Sequence, residues 1–205
     1  MRPASEPGNP LHTPTHKTRT LWLVGILHAF THVYHVALLP LYLRMRDDLH
    51  LGDVDRATAL MSVMMAAYFA PSYLVGVLTD RMSRKKLLGW GLFVNAMGFV
   101  GLSFAPDYAT AMACVVVAGL GGSCFHPAAT ALIARMFPVG TGKALGLLGI
   151  GASVGFLIGP FLSGALADWT GNWRVPVLVL GVAGVVASGL FAWLSEEAPA
   201  PAPAP

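Results

Sequence analysis

The stretch Gly76-Val77-Leu78-Thr79-Asp80-Arg81-Met82-Ser83-Arg84-Lys85-Lys86 passes in eleven residues from the end of an apolar run to a dense basic cluster, and a second apolar run follows. Gly76 permits close helix packing, Asp80 can pair with Arg81 or with a neighbouring helix N-terminus, and Arg84, Lys85 and Lys86 hold a short loop on the side of a bilayer that retains positive charge. Apolar runs flank this loop over residues 57–79 and 87–105 and recur over 20–43, 110–135, 143–167 and 174–194. Each is close to the roughly 20 residues a helix needs to cross the hydrocarbon core. The expectation is an all-α membrane protein with six transmembrane helices.

Composition agrees. Hydrophobic residues make up 55% of the chain and charged residues 11%, against about 25% charged in soluble domains, and the mean hydropathy is +0.64. An ordinary soluble enzyme is excluded. The net charge of +3 does not indicate nucleic acid, because the basic residues sit in short segments between apolar runs. Cys114 and Cys124 lie inside apolar runs and read as buried thiols. Ser72, Ser103, Ser123 and Ser153 have no nucleophile motif around them, so neither catalysis nor a cofactor is expected.

Three regions are expected: a mobile polar cytoplasmic tail over 1–19, the helical bundle over 20–195 and an Ala/Pro-rich tail or linker over 196–205, extended by its prolines. Lys17, Arg19, Arg81, Arg84, Lys85, Lys86, Arg135 and Lys143 fall on the side of the termini, against Arg44, Arg46, Arg56 and Arg174 on the other. Both termini are therefore expected in the cytoplasm, with the chain multi-pass in a bacterial inner membrane.

The loop from Gly76 through Asp80 and Arg81 to Arg84, Lys85 and Lys86 closely resembles the signature loop of the major facilitator superfamily; Ser83 stands where that family usually has glycine. Gly151, Gly155, Gly159-Pro160 and Gly164 resemble its Gly-Pro motif of the fifth helix, often associated with exporters, although helix packing accounts for them equally. The string Gly119-Leu120-Gly121-Gly122-Ser123-Cys124-Phe125-His126-Pro127, with Ala134-Arg135-Met136 after it, looks like the branch that includes fosmidomycin-resistance-type exporters. Ala128 and Ala131 depart from that branch where it commonly carries a carboxylate and an arginine, and Val115, Val116 and Val117 occupy the stretch where an arginine would be expected. The resemblance implies an N-terminal half of a transporter fold, with helices one and four lining a central cavity. Pro160 is expected to permit a bend in helix five.

No Asp or Glu lies in the apolar centre of any expected helix, so histidine is the candidate proton carrier. His28, His32 and His35 follow one another at spacings of four and three, on one helix face. His126 lies near the middle of helix four, and the resemblance implies that all four face one aqueous path, titrating near their usual value of about 6.5. Tyr34, Tyr42, Tyr68 and Tyr73 could add hydrogen bonds. The leading reading is secondary transport of a small organic solute, with proton-coupled efflux; Phe30, Phe69 and Phe125 lean toward an amphipathic compound. A second reading is a copper or zinc transporter using Met61, Met64, Met65, Cys124 and His126. A third is a scaffold or a truncated half-transporter, because one half lacks the opposing bundle against which alternating access rocks. A parallel homodimer or a second six-helix half would complete the cavity.

Overall fold

Six helical spans long and apolar enough to cross a membrane occupy 15–48, 54–81, 84–103, 108–136, 141–170 and 174–194 in the computed structural model, which describes residues 14–197. No strand occurs among the described residues. The first span is α1 (Pro14–Val36), a 3-10 turn (Leu39–Leu41) and α2 (Tyr42–Asp48). The second is α3 (Val54–Phe69) with α4 (Ser72–Arg81), and the third is α5 (Arg84–Ser103). The fourth is α6 (Tyr108–Gly122) with α7 (Phe125–Met136). The fifth is α8 (Thr141–Thr170) and the sixth α9 (Arg174–Leu194).

Several boundaries differ from expectation, each for a local reason. The first span begins at Pro14, not Thr20, because proline suits a first helical turn and the polar residues after it find partners outside the apolar layer. His16 Nδ1 lies 2.7 Å and Arg19 3.4 Å from Glu196, whose own amide donates to the Thr20 hydroxyl. Glu196 and Glu197, expected to open a tail, are thus tied to the bundle. The expectations for residues 1–13 and 198–205 lie outside the described residues. The unbroken first helix expected to Leu43 instead breaks after Val36, where Pro40 lacks an amide to donate. A break at Ala70–Pro71 divides the second span, and Ser123–Cys124 divide the fourth. The fifth span does the reverse, running through Pro160 as one helix between Gly140 and Gly171, both in the left-handed region at φ +83° and +68°.

The spans pack as neighbours through residues that have little or no side chain. α1 lies along α8, α5 along both α9 and α6, and α3 along α6. A Cβ added at Gly155 would press on the Ala29 carbonyl, one at Gly151 on the Gly25 carbonyl, and one at Gly159 would meet Val36 Cγ2 at 2.8 Å. Gly98 faces Ala118 in the same way, and Gly121 faces the Asn95 amide across the crossing of α5 and α6. Without a hydrophobic drive between helices in lipid, such close backbone approach is the main source of association. Buried Asn95 donates from its amide to the Ala118 carbonyl, and buried Tyr34 donates to Leu180 O at 2.9 Å, joining the first span to the sixth.

Further ion pairs close the end of the bundle away from Glu196. Arg174 donates to Asp48 at 2.7 Å and to the carbonyls of Ala105 at 2.7 Å and Ser103 at 3.3 Å, while Trp173 Nε1 donates to Asp48 at 3.1 Å. Arg44 pairs with Asp168 at 2.7 Å. The Arg174 guanidinium closes the C-terminus of the third span, where unpaired carbonyls attract a cation. Arg174→Ala is expected to cost about 1–2 kcal/mol, because the pair is partly exposed. A lower unfolding midpoint in detergent checks this, and an unchanged midpoint would contradict it.

Candidate solute path on the first and fourth spans

α1 carries His28, His32 and His35 on one face, as their spacing predicts, and the break at Ser123–Cys124 starts α7 so that Phe125 and His126 point at the same face. Pro127 falls in the first turn of α7, where a missing amide costs nothing. The four imidazoles form a continuous cluster. Ring centroids are 4.8 Å apart for His28–His32, 5.0 Å for His32–His35, 5.4 Å for His28–His126 and 6.0 Å for His32–His126. Phe125 stacks on His28 at 4.7 Å and Phe156 of α8 lies 4.3 Å from His32.

Hydrogen bonding orders this cluster. Leu148 O lies 2.8 Å from His28 Nδ1; a carbonyl only accepts, so that nitrogen donates and the His28 Nε2 lone pair is directed toward His32 Nε2, 3.1 Å away. The bond to Leu148 also ties the first span to the fifth. His28 and His35 are buried, His32 is half-buried and His126 exposed. The His32 Nδ1, His35 Nε2 and Tyr68 hydroxyl atoms are buried without a hydrogen-bond partner among the described residues. The Tyr68 ring stands 4.5 Å from His35 and 6.0 Å from His126. The face therefore combines aromatic walls with polar atoms that still seek partners.

The other candidates lie elsewhere. Met64 is buried in the core, Met65 packs against that core, the Met61 sulfur accepts from the Tyr42 hydroxyl at 2.9 Å, and Cys124 packs against Gly91. Gly119 packs on the Met64 carbonyl and Gly122 on the Tyr68 ring, which makes the small residues of the fourth span a packing surface. Tyr73 and Phe69 are exposed. Phe30 lies 6.1 Å from Tyr34. Gly151, Gly155 and Gly159 face the first span, and a Cβ added at Gly164 would meet Pro40 at 3.5 Å, so the fifth-helix motif packs against the first span.

The signature loop is built differently from the reading of its residues. Asp80 and Arg81 are exposed and form no ion pair with each other, and a Cβ added at Gly76 would meet nothing within 4 Å. Ser83 caps α5, accepting from the Lys86 amide at 3.1 Å, which is why a side chain stands where a glycine turn was expected. The Ser83 hydroxyl donates to Glu197, the Lys85 amide donates to the same carboxylate at 3.1 Å, and Lys85 Nζ donates to Ser195 O at 2.7 Å. These contacts join the third span to the end of the sixth. The sequence offered no signal for them beyond two glutamates beside the last helix.

This arrangement defines a polytopic helical bundle of the kind membrane transporters are built from. The chain belongs to the Major Facilitator Superfamily, whose sequence profile matches residues 21–205. It is 36% identical over 127 residues to the MFS-type transporter Rv1250 of Mycobacterium tuberculosis, covering 59% of this chain and 22% of that protein. It is 34% identical over 120 residues to the multi-drug resistance efflux pump PmrA of Streptococcus pneumoniae, covering 58% and 29%. Its fold is similar, at TM-score 0.77 and 16% identity, to a bacterial homologue of the human lysosomal transporter Spinster, over 91% of this chain and 44% of that one. The matches thus span less than a third of these two curated relatives and less than half of the solved structure. The fold is one half of the transporter architecture of this superfamily.

Proposed function

We propose that this chain works as one six-helix half of a secondary active transporter, moving a small organic solute outward against proton entry, and that it performs no catalysis. The observation that carries this reading is the histidine face. Four imidazoles from the first and fourth spans meet within the bundle, one of them exposed. Polar side chains at membrane depth are costly and mark solute or ion paths. The name of the streptococcal relative, a multidrug efflux pump, supports the outward direction. Aromatic residues around the histidines favour an amphipathic solute, and the branch-level resemblance of Gly119 to Pro127 points the same way.

The exposed side of this face needs an opposing bundle, and a second copy of the chain in parallel orientation supplies one most simply; a separate six-helix half is the other source. Both termini lie in the cytoplasm in this reading, supported by the excess of Lys and Arg at that end. The loop from Gly76 to Lys86, held to Glu197, serves as the conformational latch.

Ethidium movement into inverted vesicles, driven by an imposed pH gradient, tests the proposal. Flux is expected to vanish when the gradient is collapsed and in His32→Ala and His126→Ala. Unchanged flux in both variants would overturn the histidine mechanism. Native mass spectra of the protein released from nanodiscs are expected to show a dimer; a bare monomer would favour a separate partner half.

A further inference from the structure

The ligand atoms of His28, His32 and His126 all lie within 4.8 Å of one another, the one such convergence of three His, Cys, Asp or Glu groups found among the described residues. We infer that these three imidazoles form a binding site for a single divalent transition-metal ion such as Zn2+, bridging the first span and the second half of the fourth. This ligand set differs from a sulfur-based one. It contains neither cysteine nor methionine.

Three observations support the assignment independently of the transport reading. The first is spacing. Zn–N bonds of about 2.0–2.1 Å place two nitrogens of a tetrahedral site about 3.3 Å apart, and His28 Nε2 and His32 Nε2 stand at 3.1 Å. His126, exposed and on the first turn of α7, closes the third corner with a movement of at most about 1.5 Å, well within a side-chain adjustment.

The second is orientation of the ligand. A metal-bound histidine usually donates its other ring nitrogen to a carbonyl or carboxylate, which fixes the tautomer and aims the lone pair. His28 does this in the structure, through Nδ1 and Leu148 O at 2.8 Å. The third is the state of the atoms around the site. His32 Nδ1 is buried without a partner. If His32 Nε2 takes the ion, its proton is carried on Nδ1, so neutral His32 becomes a ligand by a change of tautomer and no net proton is released. The unpartnered Tyr68 hydroxyl and His35 Nε2 lie beside the cluster, where they can hold a water or an anionic donor in the fourth, open position. Three neutral ligands leave the ion its full charge, so an anionic fourth donor is the favoured one.

The test uses the untagged full chain in nanodiscs, equilibrated with Zn2+ alone and assayed for bound metal after dialysis, with Co2+ as the spectroscopic probe. The expected result is one ion per chain and an intense tetrahedral Co2+ absorption. His32→Ala and His126→Gln should each weaken binding by at least about tenfold, the lower end of what losing even an outer-shell partner costs. His126→Gln replaces an exposed side chain, so its fold is expected to be intact, checked by helical circular dichroism and a single elution peak. His50→Asn removes an exposed histidine far along the chain, at φ +50°, which asparagine tolerates, and should bind as the parent does. Stoichiometric binding that survives both His32→Ala and His126→Gln, a six-coordinate Co2+ spectrum, or loss of binding in His50→Asn would each overturn the site. Because the readout is equilibrium binding, failure here leaves the vesicle flux assay unaffected, and failure of flux leaves this assay unaffected.

Discussion

Gly155→Leu is expected to prevent the first and fifth spans from packing, so that the protein is recovered aggregated or with a sharply lowered unfolding midpoint. A Cβ at this position would press against the backbone carbonyl of Ala29, and a leucine adds three more carbons in the same direction. Backbone cannot rotate away as a side chain can, so the two helices must separate. Overpacking a filled interior costs about 1–3 kcal/mol even where side chains adjust, and here the bond from His28 to Leu148, joining the same two spans, would be stretched as well. Gly149→Ala is the matched control, since a Cβ added at Gly149 would meet nothing within 4 Å. It should raise stability by about 0.5–1 kcal/mol, the usual gain of alanine over glycine within a helix. Thermal unfolding of both variants in one detergent decides the matter. A stable Gly155→Leu protein would mean that the first and fifth spans are not in close contact.

His126→Ala is expected to remove pH-driven flux while leaving the unfolding midpoint nearly unchanged, and His28→Ala is expected to lower both. The difference follows from burial and partners. His126 is exposed and meets Phe125, His28, His32 and Tyr68 only through ring edges or tilted rings. His28 is buried, stacks on Phe125 and donates to the fifth span. Losing an interhelical hydrogen bond in a membrane costs about 0.6–2 kcal/mol, and truncating the stacked ring leaves a void beside Phe125. Flux and unfolding measured on the same preparations separate a path residue from a structural one. Equal losses of stability in the two variants would mean that His126 supports the fold.

Much of this protein was legible before its structure. The sixth span was located to the residue, Arg174–Leu194, because an arginine and a polar segment bound one uninterrupted apolar run. The shared face of His28, His32 and His35 followed from spacing, and the superfamily followed from the loop at Gly76 to Lys86. The breaks at Ala70–Pro71 and Ser123–Cys124 were harder, since a hydropathy pattern averages over a helix turn and Pro71 and Pro127 lie inside runs that remain apolar. The roles of Glu196 and Glu197 were missed because their partners, Arg19 and Ser83, are more than 100 residues away along the chain.

The amino-acid order alone determined that the bilayer is the solvent, where the six apolar runs long enough to cross it lie and which end collects positive charge. Those properties follow from transfer free energies summed along a single helix, and no other part of the chain changes them. Tertiary structure decided which glycines are packing surfaces, that Asn95 and Tyr34 bond across helices, and that His126 joins the histidines of the first span at their open edge. Those depend on where helix axes cross, which is set by the shapes of side chains on both partners at once. A periodic pattern on one helix therefore leaves them undetermined.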